Sequence, residues 1–539
     1  MATTPLGVFQ FAHDHGVPAR ELVSLLGGKG AGLAEMTAAL GMNVPPGFTI
    51  SVPVCRAWQQ SGWPNGLDDE IDKHVRLLGE QMGRTFGDPE DPLLLAVRSG
   101  APVSMPGMLD TVLNLGLTDK TVEGLARASS DPVFAWDSYR RFVTMFAATV
   151  MGVGRSLLDV GPAARDEEGL RQQVRTLRER IVRAAGRDLP QDPWQQLREA
   201  VEAVFSSWNS DRARAYRAKE GIADDLGTAV NVQSMVFGNR GPRSGTGVVF
   251  TRNPSTGEPE PYGDYLVCAQ GEDVVSGSAN TMPVAELRNH QPQVYEELVD
   301  ALRRLEIHYR DMCDVEFTVE EGRLYLLQTR VGKRSAVAAV RIAVDMVSDP
   351  DIALSKAEAL QRVSREQREA ARTEITNRVR TADDAMPLAT GLGASPGRAT
   401  GRVVFSAEAA ADTDDDVILV RRETSPEDVA GMAASVGILT TRGGLVSHAA
   451  VVARGWGIPA VVGAADLELG HDEFRTGAGE VVRAGDVITI DGGTGQVWRG
   501  RPESSAAGTN DAEELPQLAQ LEEWARQAES TQQGRELVG

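Results

Sequence analysis

The spacing of apolar and polar positions divides the chain into stretches of different period. From about Asp119 to Tyr216 apolar residues recur at helical spacing with few turn signals, as in Leu170–Ala185, which predicts a helical subdomain over 119–216. Upstream, Gly27-Gly28-Lys29-Gly30-Ala31-Gly32 leads into Leu33-Ala34-Glu35-Met36, a glycine-rich turn feeding a helix that ends near Gly41. Pro45-Pro46-Gly47-Phe48-Thr49-Ile50 reads as a turn into a strand. From Gly227 to Arg330 the pattern changes to short β-rich runs, such as Ala229–Val232 and Gly247–Phe250, broken by Gly, Asn and Pro. The first 335 residues therefore read as one mixed α/β region. A charged stretch without glycine, including Glu366–Arg372, predicts a helical linker over 336–386. Strands and glycine turns alternate again over 387–501, as in Gly401–Phe405, Val417–Val420, Gly437–Thr440 and Asp486–Ile490. The tail, 502–539, is rich in Ser, Gly, Gln and Glu and is expected to be mostly disordered apart from a short helix near Leu518–Ala528. No internal repeat is present, and the expected class is α/β multidomain.

Composition narrows the function classes. The chain of 539 residues is too long for one core, and its balance of 42% hydrophobic and 24% charged residues is that of a globular protein. No apolar run approaches the ~18 residues that a membrane span needs. Met1–Gly16 lacks the basic and apolar segments of a secretory signal, and three widely spaced cysteines (Cys55, Cys268, Cys313) form neither a disulfide framework nor a metal-site spacing. A cytoplasmic location is expected. The formal charge of −21 argues against nucleic-acid or acidic-membrane binding, but it allows an anionic small molecule at a local cationic site.

Candidate cationic sites follow from that. Lys29, at a glycine-rich helix start, suits phosphate, although Gly30 stands where a P-loop needs Ser or Thr; an ordinary helix-start turn is the alternative. Arg98 ends the apolar run Leu93–Val97 beside Ser99-Gly100, where it can fork onto phosphate oxygens or form a surface ion pair. The segment Ser104–Thr111 is apolar yet holds two helix breakers, an unusual composition for plain core. In the hairpin Asp314–Val319 and Arg323–Arg330, pairing Val319 with Arg323 puts Val315, Phe317, Tyr325 and Leu327 on a core face and Asp314, Glu316, Gln328 and Arg330 on a charged one. Carboxylates at i and i+2 can hold Mg²⁺ while Arg330 neutralises phosphates; a solvated, ion-paired face is the alternative. Gly245-Thr246-Gly247 and the turn Thr251–Glu258 are candidates for a flexible phosphate-covering loop. His448 follows Gly443-Gly444 and precedes the apolar helix Ala449–Arg454, so its ring sits near a helix N-terminus that stabilises a phosphate on nitrogen. A lone histidine is also compatible with a structural role.

Longer stretches add a resemblance. Leu26–Met36, Val44–Ile50, Val97–Gly116, Gly227–Asn239, Ser244–Glu258, Ala269–Val275, Asp314–Arg334, Glu423–Met432 and Gly437–Arg454 together resemble the pyruvate, phosphate dikinases of the phosphoenolpyruvate-utilising family. Arg98-Ser99-Gly100 and Ser104-Met105-Pro106-Gly107 look more like that group than like the related phosphoenolpyruvate synthases. The resemblance implies an ATP-grasp nucleotide-binding domain followed by a swivelling phosphohistidine domain. It implies that Lys29, Arg98 and Arg330 bind ATP phosphates, that Asp314, Glu316 and Gln328 lie at the Mg²⁺-nucleotide site, that Gln233 and Met235 lie beside the adenine, and that His448 is phosphorylated. It further implies that His448 attacks ATP at the β-phosphorus with release of AMP, and that phosphate accepts the other phosphoryl group to give pyrophosphate. Two departures stand out. Val446 lies two residues before His448, where the family usually has a Thr that some members phosphorylate for regulation, so that control is not expected. The family also continues into a TIM barrel that binds pyruvate and forms phosphoenolpyruvate, whereas this sequence ends at Gly539. An acceptor supplied from elsewhere, such as a separate barrel protein, is therefore expected, with a non-pyruvate acceptor or a phosphocarrier role as alternatives, and a homodimer left open.

Overall fold

Two antiparallel sheets and one mixed sheet carry the functional residues. The computed structural model describes residues 7–105, 107–275, 281–379, 386–445, 447–501 and 515–536. The chain divides into two compact units, Met1–Arg240 with Tyr325–Thr329, and Gly241–Leu324 with Arg330–Gly539. This division runs through the 1–335 region.

In the first unit the sheet order is Val8–Gln10, Gly47–Ile50, Ala229–Ser234, Leu95–Gly100, Thr111–Leu115, every pair antiparallel. All six residues of Ala229–Ser234 are buried, as expected for a strand at the centre of a sheet. The helical stretch resolves into Thr121–Ser129, Pro132–Thr149, Glu167–Ala185, Pro193–Ser207 and Asp211–Glu220. Four of these starts have a capping side chain: Asp131, Asp166, Asp192 and Ser210 each accept from a backbone N–H of the first turn. Their apolar faces, including Tyr139, Phe142, Phe146, Leu170, Val174 and Leu177, share a core with Val97, Val230 and Val232 of the sheet.

The second unit holds the sheet Met282–Pro283, Tyr262–Val267, Gly245–Phe250, Cys313–Glu320, Arg323–Val331, the last strand passing through Tyr325–Thr329 of the first unit. Downstream, Ala336–Ser348, Lys356–Arg362 and Arg365–Val379 are helices. They are not a free linker: Val337, Val340, Ile342, Val344 and Met346 pack with Val248, Phe250 and Met312 of this sheet, because Ala336–Ser348 is itself apolar. Residues 380–385 lie outside the described residues. The C-terminal helix spans Pro516–Glu536, longer than expected, and sets Leu518, Leu521 and Trp524 in the same core. The part of the tail over 502–514 also lies outside the described residues.

The mixed sheet runs Ala389–Thr390, Gln496–Arg499, Val487–Asp491, Arg398–Val404, Val417–Arg421, Gly437–Thr440, Ala460–Val462, Leu392–Ser395. The four adjacent strands from Arg398–Val404 to Ala460–Val462 are parallel, and the helix His448–Trp456 makes the crossover from Gly437–Thr440 to Ala460–Val462. Parallel strands buried on both faces read as apolar runs, which is why Val417–Val420 and Gly437–Thr440 stand out in the sequence. No helix among the described residues is long and apolar enough to cross a membrane.

Candidate active site

The glycines around Lys29 bring a helix unusually close to the first sheet. The helix Val23–Ala34 is interrupted at Gly27, whose backbone is left-handed (φ 68°), and a methyl there would lie 1.6 Å from the Gly100 carbonyl oxygen. Beyond the break, Gly28 N–H donates to the Ala101 carbonyl at 2.9 Å, and a methyl on Gly32 would lie 2.9 Å from the Thr329 carbonyl oxygen. Half-buried Lys29 thereby stands over Gly100, where a methyl would be 3.3 Å from the Lys29 Cβ.

Arg98 is not at a strand end. It lies inside Leu95–Gly100, opposite Asn231 and Thr111, and its Nη1 donates to the Leu327 carbonyl at 3.0 Å. The Leu93–Val97 run starts early because Leu93 and Leu94 are buried before the ladder begins. The first unit thus gathers Lys29, Arg98 and the Tyr325–Thr329 segment that carries Gln328. Gln233 is buried and is engaged within the sheet, where its Nε2 donates to the Pro45 carbonyl at 3.0 Å. Met235 packs partly buried against the core while its N–H donates to Leu94.

The second unit gathers the remaining candidates. Arg330 Nε donates to both oxygens of buried Asp314 at 2.7 Å, so these two side chains do share a face. That face is not purely charged, however. Leu324 and Leu326 are buried on it, whereas Tyr325 and Leu327, assigned to the core face, are only half-buried. Packing against neighbours on both sides of the strand overrides the simple division into core and charged faces. Burial raises the Asp314 carboxyl above the ordinary carboxylate range; Arg330 opposes the rise, Glu316 adds to it and Arg454 opposes it.

The expected covering loop is not one. Gly245-Thr246-Gly247 lies within a fully buried strand, and Thr251–Glu258 is a pinned turn: Asn253 Oδ1 accepts from Ser255 N–H at 2.9 Å and Ser335 Oγ donates to the Ser255 carbonyl at 2.9 Å. Asx-turn bonding and contact with Ala336–Ser348 are tertiary features that composition alone does not reveal.

His448 opens its helix at the carboxyl end of a parallel strand, where ligand chemistry is expected in such sheets. Its ring is 7% exposed; Nδ1 lies 3.1 Å from Thr424 Oγ1, and Nε2 is buried with no hydrogen-bond partner among the described residues. Burial pushes its pKa down to about 4, against the opposing charges of Asp428 and Glu427, so the imidazole is neutral at pH 7. If Nδ1–H donates to Thr424, the Nε2 lone pair is the nucleophile. Asp428 is in turn held by Ser425 and by Arg421 Nη2 at 3.2 Å, which places a guanidinium in the same loop. Thr424 and Arg421 were not singled out from sequence, although both sit at the edge of the informative Glu423–Met432 stretch. Val446 lies outside the described residues.

Comparison with known proteins supplies the family. Residues 23–78, 59–284 and 279–349 match the pyruvate phosphate dikinase AMP/ATP-binding domain, more than half of the chain, and residues 413–495 match the mobile domain of phosphoenolpyruvate-utilising enzymes. The chain belongs to the pyruvate phosphate dikinase family. Among curated relatives, the chloroplastic pyruvate, phosphate dikinase of Flaveria pringlei is 48% identical over 523 residues, covering 93% of this chain and 54% of the relative. The Clostridium symbiosum pyruvate, phosphate dikinase is 46% identical over 504 residues, covering 90% and 57%. The chain therefore spans about half the length of the curated relatives it matches. In family terms, Lys29, Arg98, Gln233, Met235, Asp314, Glu316, Gln328 and Arg330 all fall within the AMP/ATP-binding match, and His448 falls within the mobile domain.

Proposed function

We propose that this chain is an ATP-dependent phosphotransferase that loads a phosphoryl group onto Nε2 of His448, with pyruvate as the final acceptor, as the names of its relatives suggest. The observation that carries the reading is the neutral, buried imidazole at a helix N-terminus, with Nδ1 beside the Thr424 hydroxyl and Nε2 without a hydrogen-bond partner among the described residues. The helix N-terminus then stabilises the phosphate once it is on nitrogen.

On this reading Lys29, Arg98 and Arg330 neutralise nucleotide phosphates and Met235 borders the adenine, while Gln233 supports that strand from within the sheet. Phosphoryl transfer needs positioning and charge neutralisation more than an acid or base, which suits a residue set of this kind. Mg²⁺, when bound, supplies further neutralisation of the phosphates. Asp314, Glu316 and Gln328 offer hard oxygen donors, and a magnesium shared with phosphates needs only one or two carboxylates. Among the described residues no group of three or more His, Cys, Asp or Glu side chains is placed to hold a metal.

The test uses ATP labelled at either the β or the γ phosphorus, with Mg²⁺ and inorganic phosphate. Expected results are acid-labile β-label on the protein, γ-label in pyrophosphate, and loss of protein label in His448→Ala. Label that survives this substitution, or γ-label that stays on the protein in excess inorganic phosphate, overturns the reading. Adding pyruvate to the labelled protein and assaying phosphoenolpyruvate tests the acceptor separately.

A further inference from the structure

Strand alternation gives the first sheet two unlike faces. Phe48, Ile50, Val97, Val230 and Val232 point into the apolar core, whereas the alternate positions Thr49, Asn231 and Arg98 stand in register across three neighbouring strands on the other face. Asn231 is the middle of that row and is fully buried, its Oδ1 accepting from the Thr49 hydroxyl at 2.8 Å. Its Nδ2 is buried with no hydrogen-bond partner among the described residues, a cost that an apolar side chain would not carry.

The glycine helix rests on this carboxamide. A methyl on Gly30 would lie 2.8 Å from Thr49 Oγ1 and 2.9 Å from Asn231 Oδ1, and one on Gly100 would lie 2.6 Å from Asn231 Nδ2 and 3.3 Å from the Lys29 Cβ. The Asn231 side chain therefore fills the space between the helix turn that carries Lys29 and the strand that carries Arg98, so close to both that a methyl on either glycine would collide with it. Directly opposite residues of an antiparallel pair have Cβ atoms about 5 Å apart, so Asn231 also stands beside the base of Arg98. A carboxylate of the same shape would put a negative charge beside two cations that are to meet phosphate; the carboxamide spaces them and leaves their charge in place.

We propose that Asn231 is a positioning residue, a neutral spacer held by Thr49 that sets the separation of Lys29 and Arg98 so that both meet the nucleotide phosphates at once. The proposal rests on the phosphotransfer reading above and adds to it a residue that does not itself touch the nucleotide. An apolar side chain of that size would avoid the orphan donor, but nothing would then fix its orientation or pair the Thr49 hydroxyl.

The experiment measures, by calorimetry, the affinities of Mg²⁺-ATP and of adenosine in the full chain carrying Asn231→Ala, Thr49→Val or Thr49→Ser, each alone and together with Lys29→Ala. Adenosine has no phosphates, so it reports distortion of the strand that runs on to Met235 without reporting Lys29 or Arg98. Asn231→Ala and Thr49→Val are expected to weaken ATP binding roughly 10-fold with adenosine binding unchanged, and to slow single-turnover β-labelling at saturating ATP by up to about 100-fold, the scale of an ångström-level misplacement. Thr49→Ser keeps the hydroxyl and is expected to restore both. With Lys29 already removed, Asn231→Ala should weaken ATP binding by less than about 3-fold more, because residues that act through one another are not additive. Equal losses for ATP and adenosine, a further loss in Lys29→Ala as large as in the wild type, or wild-type ATP binding by folded Asn231→Ala overturns the proposal. If Asn231→Ala does not fold, Thr49→Val decides by the same three comparisons. If the wild type binds ATP but takes up no label, the phosphotransfer reading fails, and the affinities still decide whether Asn231 acts through Lys29.

Discussion

At the level of single residues, the decisive fact is that His448 is held neutral. A histidine whose folded pKa is about 4 against an ordinary value of 6.5 binds no proton in the folded state over that interval, whereas the unfolded chain does. Its contribution to stability is therefore fully present above pH ~6.5 and is lost as the pH falls toward 4, about 3 kcal/mol in all at 1.36 kcal/mol per pKa unit. Denaturant titrations at pH 7.5, 6, 5 and 4 check this: wild type should lose stability on acidification by about that much more than His448→Asn. Equal losses would show that the imidazole is protonated in the fold. Thr424 makes a separate prediction, because accepting from Nδ1–H would leave the Nε2 lone pair for transfer. Thr424→Val should slow His448 labelling by roughly 10- to 100-fold and mix the two tautomers in ¹⁵N spectra of the imidazole, while Thr424→Ser should restore both. A single, unchanged tautomer in Thr424→Val would remove Thr424 from the mechanism.

At the level of elements, local pattern carries furthest where one period dominates. The parallel strands of the mixed sheet are short apolar runs between glycine turns, and the helical subdomain follows its 3.6-residue period, so both were legible in the sequence. The Asp314 and Arg330 pairing was legible too, because it follows from strand alternation and opposite charge. What escaped is set by partners distant in sequence. Leu324 and Leu326 are buried by neighbours that alternation cannot name, and Ala336–Ser348 is held in a core by Val248 and Phe250 rather than left as a linker. Thr424 carries no local signal, since a threonine in a loop is ordinary until the fold brings it to His448. The glycine helix is a mixed case. Its glycines were read as phosphate-facing turn residues, yet Gly27 and Gly32 face the backbone of neighbouring strands. Gly27→Ala must place a Cβ 1.6 Å from a carbonyl oxygen in a left-handed backbone, so it should destabilise the protein by about 3 kcal/mol or more in guanidinium unfolding. A loss under 1 kcal/mol would mean that the helix shifts readily and that Lys29 is not firmly placed.

At the level of the whole molecule, each unit has apolar cores of its own among the described residues. The core built on Phe142, Phe146 and Val230 belongs to the first unit; those built on Val340 and Phe250, and on Ile418 and Ile490, belong to the second. Units with their own cores need not unfold together, and proteins of this kind commonly depart from a single all-or-none transition. The two stability perturbations argued above fall in different units: Gly27 in the first and His448 in the second. Scanning calorimetry of wild type, Gly27→Ala and His448→Asn at pH 7.5 and pH 5 therefore tests whether stability is partitioned in the same way. Two transitions are expected. Gly27→Ala should lower one of them by several degrees at both pH values, since ~1 kcal/mol shifts a unit of about 200 residues by 2–4 °C. Acidification should lower the other, and His448→Asn should remove the imidazole's share of that shift without touching the first. A single transition that responds to both perturbations would show instead that the two units fold as one cooperative body, so that a mutation in either unit registers in the stability of both.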